Sequence, residues 1–119
     1  MRVLIVDDNE EMRESLKTLL EEWGYEVDVA ADGQQALALQ DRHPADTLLT
    51  DLFMPEQDGL ETIQSFRARF PQMRIIAMSG DAHIRFKTDF LAVAREAGAD
   101  VALRKPFAAA ALRESLIPA

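Results

Sequence analysis

The chain contains no cysteine. A disulfide framework, a thiolate zinc site and a thiol nucleophile are therefore all excluded. Positive charge is scarce: 13 Lys and Arg stand against 21 Asp and Glu, a formal net charge of −8. A surface of that sign repels nucleic acid and anionic membrane, which need clustered cations to neutralise phosphate. No apolar run approaches the roughly 18 residues of a membrane span. The opening run, Val3 to Val6, breaks at Asp7-Asp8 and is too short for a signal peptide. The expectation is a soluble cytoplasmic protein without a direct nucleic-acid or membrane partner. At 119 residues with 48% apolar content, it has enough for one core and no room for a second domain. One domain over residues 1–119 is expected.

What is present is alternation. Val3-Leu4-Ile5-Val6 has no polar interruption and reads as a strand covered on both faces. Asn9 is a helix cap, and Met12, Leu16, Leu19, Leu20 and Trp23 form the apolar stripe that follows, closed by Gly24. Tyr25 to Ala30 reads as the second strand. Asp32 and Gln35 have capping-box spacing, opening a helix to about His43 that Pro44 stops. Asp46 to Thr50 reads as the third strand. Asp58 and Glu61 repeat the capping-box spacing, before a helix carrying Leu60, Ile63, Phe66 and Phe70 and closed by Pro71. Met73 to Met78 is the fourth strand. Phe86, Phe90, Val93, Ala94 and Ala97 mark a fourth helix ended by Gly98; Val101 to Leu103 a fifth strand; Phe107 to about Leu116 a last helix. Strict βα alternation predicts a parallel sheet with right-handed crossovers and helices on both faces. By analogy with five-stranded doubly wound folds, the strand order is 2-1-3-4-5.

In such a sheet the strand C-termini share one edge, where ligands bind at the switch in strand order. Asp7 and Asp8 follow the first strand, Asp51 the third, Ser79 the fourth and Lys105-Pro106 the fifth. Any one of these taken alone is as readily a turn residue, a cap or a solvated charge. Their meeting at one edge is the stronger signal. Three carboxylates and one ammonium leave a formal charge of −2, which a divalent cation cancels. Hard oxygen donors suit Mg²⁺, with Mn²⁺ also compatible. A carboxylate is a competent nucleophile toward phosphorus, and phosphoryl transfer then needs mainly positioning and charge stabilisation.

These residues resemble the receiver domain of two-component response regulators. The resemblance rests on Val3-Leu4-Ile5-Val6-Asp7-Asp8-Asn9, Asp51-Leu52-Phe53-Met54-Pro55 with Asp58-Gly59, Ser79-Gly80, Gly98-Ala99-Asp100 and Lys105-Pro106-Phe107. It covers Val3 to about Leu116 and implies a flavodoxin-like, CheY-like (βα)5 fold. It implies that Asp51 is the phospho-acceptor, and that Asp8 binds Mg²⁺ directly and Asp7 largely through water. Asp51 and the backbone carbonyl of Phe53 complete the ligand set. It further implies that Ser79 and Lys105 contact the phosphoryl group and that the Lys105-Pro106 bond is cis. The implied phosphoryl donor is a sensor histidine kinase or a histidine phosphotransfer protein. Output is implied at the face of the fourth helix, last strand and last helix, toward a protein partner or a second receiver.

Two departures stand out. Receivers commonly carry Tyr or Phe three residues before the Lys, where this chain has Ala102, so the usual switch ring is missing. The stretch from Ser79 to Lys105 is also a few residues longer than usual, the excess falling before the fourth helix. Phe53 and Asp81 occupy positions where the family tunes hydrolytic water. A Mg²⁺-dependent phosphatase or phosphotransferase with an Asp nucleophile remains the alternative, disfavoured because five βα units leave no residues for a substrate cap. A flavodoxin-like cofactor binder is a third reading, against which Asp7 and Asp8 stand where a phosphate loop would be. His43 and His83 read as isolated surface residues and Trp23 as core or rim.

Overall fold

The computed structural model describes residues 1–52, 59–80 and 90–117. The strands are β1 (Arg2–Val6), β2 (Glu26–Ala30), β3 (Thr47–Asp51), β4 (Arg74–Ser79) and β5 (Val101–Arg104). The helices are α1 (Glu10–Glu22), α2 (Gly33–Arg42), α3 (Gly59–Arg69), α4 (Phe90–Ala97) and α5 (Ala109–Leu116). All strand pairs are parallel, as the alternation predicts, and the order is β2-β1-β3-β4-β5, the one expected by analogy with doubly wound folds. The chain steps outward from β1 to β2, then returns past β1 to β3. The switch point therefore lies between β1 and β3.

Successive strand residues point to opposite faces, so each strand feeds two cores. Leu4, Val6, Leu48, Ile75 and Ala77 face one way, packed with Ala36 of α2, Ile63 and Phe66 of α3, and Ala94 and Ala97 of α4. Val3, Ile5, Leu49, Ile76 and Met78 face the other way, packed with Leu16 and Leu20 of α1 and Leu112 and Leu116 of α5. This two-sided burial is why the central strands read as unbroken apolar runs.

The caps set where each helix leaves the sheet edge. Asn9 Oδ1 accepts from the Met12 N–H at 3.0 Å. Asp32 Oδ1 accepts from the Gln35 N–H at 2.9 Å, and Gln35 Oε1 in turn accepts from the N–H of Ala31 at 2.9 Å, one residue before the usual capping-box partner. Gly24 adopts φ +93°, a conformation that costs a side chain energy. The Tyr25 N–H then donates to the Leu20 carbonyl at 3.1 Å, so Tyr25 closes α1 and β2 begins only at Glu26. β3 is shifted one residue from expectation: the ladder runs through Asp51, and the Leu52 N–H still pairs with the Met78 carbonyl at 2.7 Å. α5 starts at Ala109 rather than Phe107, with Ala108 at the cap position and no side-chain cap bond. The Asp58 cap, Phe86 and the extra residues before α4 lie outside the described residues.

Candidate functional site

The register places Val6 of β1 beside Thr50 of β3, so Asp7 and Asp51 emerge side by side at the switch point. Neither belongs to a loose loop. The Asp7 N–H pairs with the Ala30 carbonyl at 3.1 Å, and Asp51 pairs in register with Met78. Asp7 is fully buried and Asp51 nearly so, while Asp8 is exposed. One carboxylate oxygen from each of Asp7, Asp8 and Asp51 lies within 4.8 Å of the other two.

Lys105 arrives from the far side of β4. Its N–H donates to the Ser79 carbonyl at 2.6 Å, fixing its backbone, and the Lys105-Pro106 peptide is cis. The ammonium then reaches Asp7 Oδ2 at 3.0 Å and Asp51 Oδ2 at 3.5 Å. Ser79 is buried at the end of β4, one residue beyond the register partner of Asp51, with its Oγ 3.5 Å from the Gly80 carbonyl. Gly59, the first residue of α3, packs directly on the backbone that carries Asp51. A Cβ there would overlap the carbonyl oxygens of Asp51 and Leu52.

The donor set suits a hard divalent cation. Buried carboxylates need partners, and one ammonium serves two of them. Oxygens on opposite sides of one Mg²⁺ are about 4.2 Å apart, twice its short bond length. The observed spread up to 4.8 Å is close to that figure, so small side-chain adjustments or a bridging water bring these oxygens to one ion. The exposure of Asp8 leaves the pocket open to solvent on one side.

Of the residues singled out from sequence, Asp7, Asp8, Asp51 and Lys105 are brought together, with Ser79 adjoining through the Lys105 backbone. Ala102 is half-buried against the core shared with α3 and α4, and Pro106 is exposed. Phe53, Asp81 and His83 lie outside the described residues. His43 is exposed, as expected of a surface residue, with its Nδ1 3.7 Å from Asp28 Oδ2. Trp23 is at the rim of the second core, with the Arg113 guanidinium 5.4 Å from its ring centre. Two contributors escaped the sequence reading. The backbone N–H of Asn9 donates to Asp7 Oδ1 at 2.9 Å, and Arg13 Nη1 donates to the Asp7 carbonyl at 2.7 Å. Spacing alone carries a hint of the second, since Arg13 follows the Asn9 cap by one helical turn.

Comparison with known proteins bears on the same residues. The family model described as the response regulator receiver domain matches residues 3–117. The chain is 38% identical over 108 residues to response regulator MprA of Mycobacterium leprae, covering 91% of this chain and 46% of that protein. It thus spans about half the length of the curated relatives it matches. Among solved structures, a CheY-like receiver domain protein from Methanospirillum hungatei superposes with TM-score 0.85 at 32% identity, covering 97% of this chain and 89% of that one. The receiver domain of NtrX from Brucella abortus gives TM-score 0.85 at 25% identity, covering 96% and 93%. No described helix is long and apolar enough to cross a membrane. On the fold, the acidic edge and these matches together, the chain belongs to the response regulator receiver domains, the phosphorylation-dependent signalling modules of two-component systems, rather than to enzymes acting on a separate substrate.

Proposed function

We propose that residues 1–119 act as one receiver unit in which Asp51 accepts a phosphoryl group. The observation that carries this reading is the position of its carboxylate, shared between the Lys105 ammonium at 3.5 Å and the oxygens of Asp7 and Asp8. In the transfer, an Asp51 oxygen forms a bond to phosphorus as the phosphorus–nitrogen bond of a phosphohistidine donor breaks, and the electron pair leaves with the imidazole. The chain supplies alignment and charge, and no general base is required.

Asp7, Asp8 and Asp51 are the side chains that would hold Mg²⁺, with the Phe53 carbonyl as the backbone ligand and Mn²⁺ as a substitute. Bound there, the cation offsets negative charge on the transferred group. Lys105 gives up part of its pairing with Asp51 to contact the phosphoryl oxygens. Ser79 offers its hydroxyl from the end of β4. A phosphorylated Asp51 carries extra negative charge and new acceptor oxygens, which draw Ser79 and Lys105 toward it. Lys105 and Ser79 are joined through their backbones, so that pull acts on β4 and β5 together. The donor is a sensor histidine kinase or a histidine phosphotransfer protein in the cytoplasm. Output passes through the α4-β5-α5 face to a protein partner or a second receiver, without the switch ring that Ala102 replaces.

The test is intact-mass analysis after a small-molecule phosphodonor with Mg²⁺. One hydroxylamine-labile phosphoryl adduct is expected, abolished by EDTA and absent in Asp51→Asn. Labelling that persists in Asp51→Asn moves the acceptor elsewhere. Catalytic turnover of a phosphomonoester would favour the phosphatase reading.

A further inference from the structure

We infer that Arg13 is a positioning residue for the metal-binding pocket, acting through the Asp7-Asp8 peptide. The inference rests on the proposed receiver chemistry and extends it to a side chain outside the acidic set.

Besides the bond from its N–H to the Ala30 carbonyl, Asp7 is held at three points. Its carboxylate accepts from the Asn9 N–H at 2.9 Å and from the Lys105 ammonium at 3.0 Å, and its carbonyl accepts from Arg13 Nη1 at 2.7 Å. The third contact differs in kind from the others. The Asp7 carbonyl lies in the rigid plane of the Asp7-Asp8 peptide, so a bond to that oxygen fixes the plane and the direction in which Asp8 leaves it. Asp8 is the exposed member of the cluster, without the burial that confines Asp7 and Asp51. Its alignment therefore depends on its backbone. Arg13 is well placed to set it. Its N–H bonds the Asn9 carbonyl at 3.0 Å in the first turn of α1, and its guanidinium reaches back over the start of that helix to the end of β1.

Two effects of Arg13 on a bound cation oppose each other. Its positive charge repels the ion, weakly, because the contact is only partly buried and solvent and salt screen it. Its short, charge-assisted bond orders a ligand before the ion arrives. The guanidinium bond goes to a carbonyl rather than to a carboxylate, so ordering dominates. Removal of Arg13 should then weaken Mg²⁺ binding, although simple charge reasoning predicts the reverse.

That opposition of sign is the test. Mg²⁺ affinity is measured by calorimetry on the full chain, with thermal melting in EDTA run beside it. Arg13→Met should weaken Mg²⁺ binding about tenfold, the usual scale for a group that orients a metal ligand. Arg13→Lys, which keeps a charged donor, should recover most of the loss. On an Asp8→Asn background, Arg13→Met should cost little more, because both changes act on one ligand. Unchanged or tighter binding in Arg13→Met overturns the proposal, including when that variant also melts earlier. If Arg13→Met does not fold, Arg13→Gln carries the same test of sign. Wild-type protein that takes up no Mg²⁺ at millimolar concentration instead sinks the receiver chemistry itself, and Arg13 with it.

Discussion

The two edges of the sheet handle charge in opposite ways. At the edge where the strands begin, Arg67 spends its donors on the carbonyls of Gly98 (2.9 Å), Pro71 (2.8 Å) and Met73 (2.8 Å) and on Asp100 Oδ2 (2.7 Å). Asp100 Oδ2 also accepts the Ile75 N–H at 2.8 Å. Arg74 Nε donates to the Ser115 carbonyl at 2.6 Å, and Asp46 Oδ2 accepts the Arg2 N–H at 2.9 Å. These charges complete the backbone: they tie α3, β4, the turn before β5 and α5 into one frame. At the edge where the strands end, three carboxylates lie together and one ammonium reaches two of them, Asp7 and Asp51. That arrangement leaves a formal excess of negative charge, which a divalent cation would offset. The first edge joins its charges to backbone and to one another, whereas the second collects carboxylates of a type suited to a cation, and the difference shows in where the partners of each charge come from.

The comparison breaks if both edges respond alike to loss of a cation. Lys105→Met should have the largest effect. It strips the buried Asp7 and Asp51 carboxylates of their ammonium, and breaking one partner of a buried ion pair costs about 3 kcal/mol. Denaturant unfolding in EDTA reads that loss. Magnesium should narrow the gap to wild type, by about 1.4 kcal/mol for each tenfold by which the variant binds the ion more tightly. The same variant should bind Mg²⁺ more tightly than wild type, having lost a competing positive charge. Arg67→Ala should cost somewhat less, about 2 kcal/mol, from several hydrogen bonds at a half-exposed site. That loss should be the same in EDTA and in Mg²⁺, relative to wild type under each condition. Magnesium rescue of Arg67→Ala, or none of Lys105→Met, would erase the distinction.

The sequence displayed these two edges unequally. The acidic edge was legible because its chemistry is carried by residue type at strand ends: once alternation gave the parallel sheet, Asp7, Asp51 and Lys105 had to share an edge. Strand order came only by analogy, since periodicity does not say which strand lies beside which. The frame at the other edge was not legible. Arg67 reads as an ordinary charge on a helix, and its role depends on distances to carbonyls 31 and 4 positions away, those of Gly98 and Pro71. Gly98-Ala99-Asp100 was visible as a pattern without a cause. The structure supplies one: Gly98 has φ +122°, with the Arg67 Cβ and Cγ each 3.0 Å from where its own Cβ would be. Gly59 was similar, a plausible early helix residue whose need to be glycine comes from the backbone of β3 pressed against it. Element ends missed by a residue or two where a hydrogen bond decided them, as at Tyr25.

The smallest effect sharpens the contrast within the ligand edge itself. Asn9 does two jobs with different atoms. Its side chain caps α1 by accepting from Met12, and its backbone N–H holds Asp7 Oδ1. Asn9→Ala removes only the first. Loss of an N-cap costs about 1 kcal/mol. For a domain of this length that lowers the melting midpoint by roughly 4 °C. Asp32→Ala at the start of α2 should cost a similar amount, because its carboxylate makes the same contact to Gln35. Magnesium affinity should separate these caps from Arg13. Both alanine variants leave the Asp7-Asp8 peptide bonded as before, so their Mg²⁺ dissociation constants should stay within about twofold of wild type, a small fraction of the loss expected for an orienting residue. A tenfold loss in Asn9→Ala would mean that the pocket depends on the integrity of the first turn of α1 as a whole, and that no single contact to Asp7 orders it.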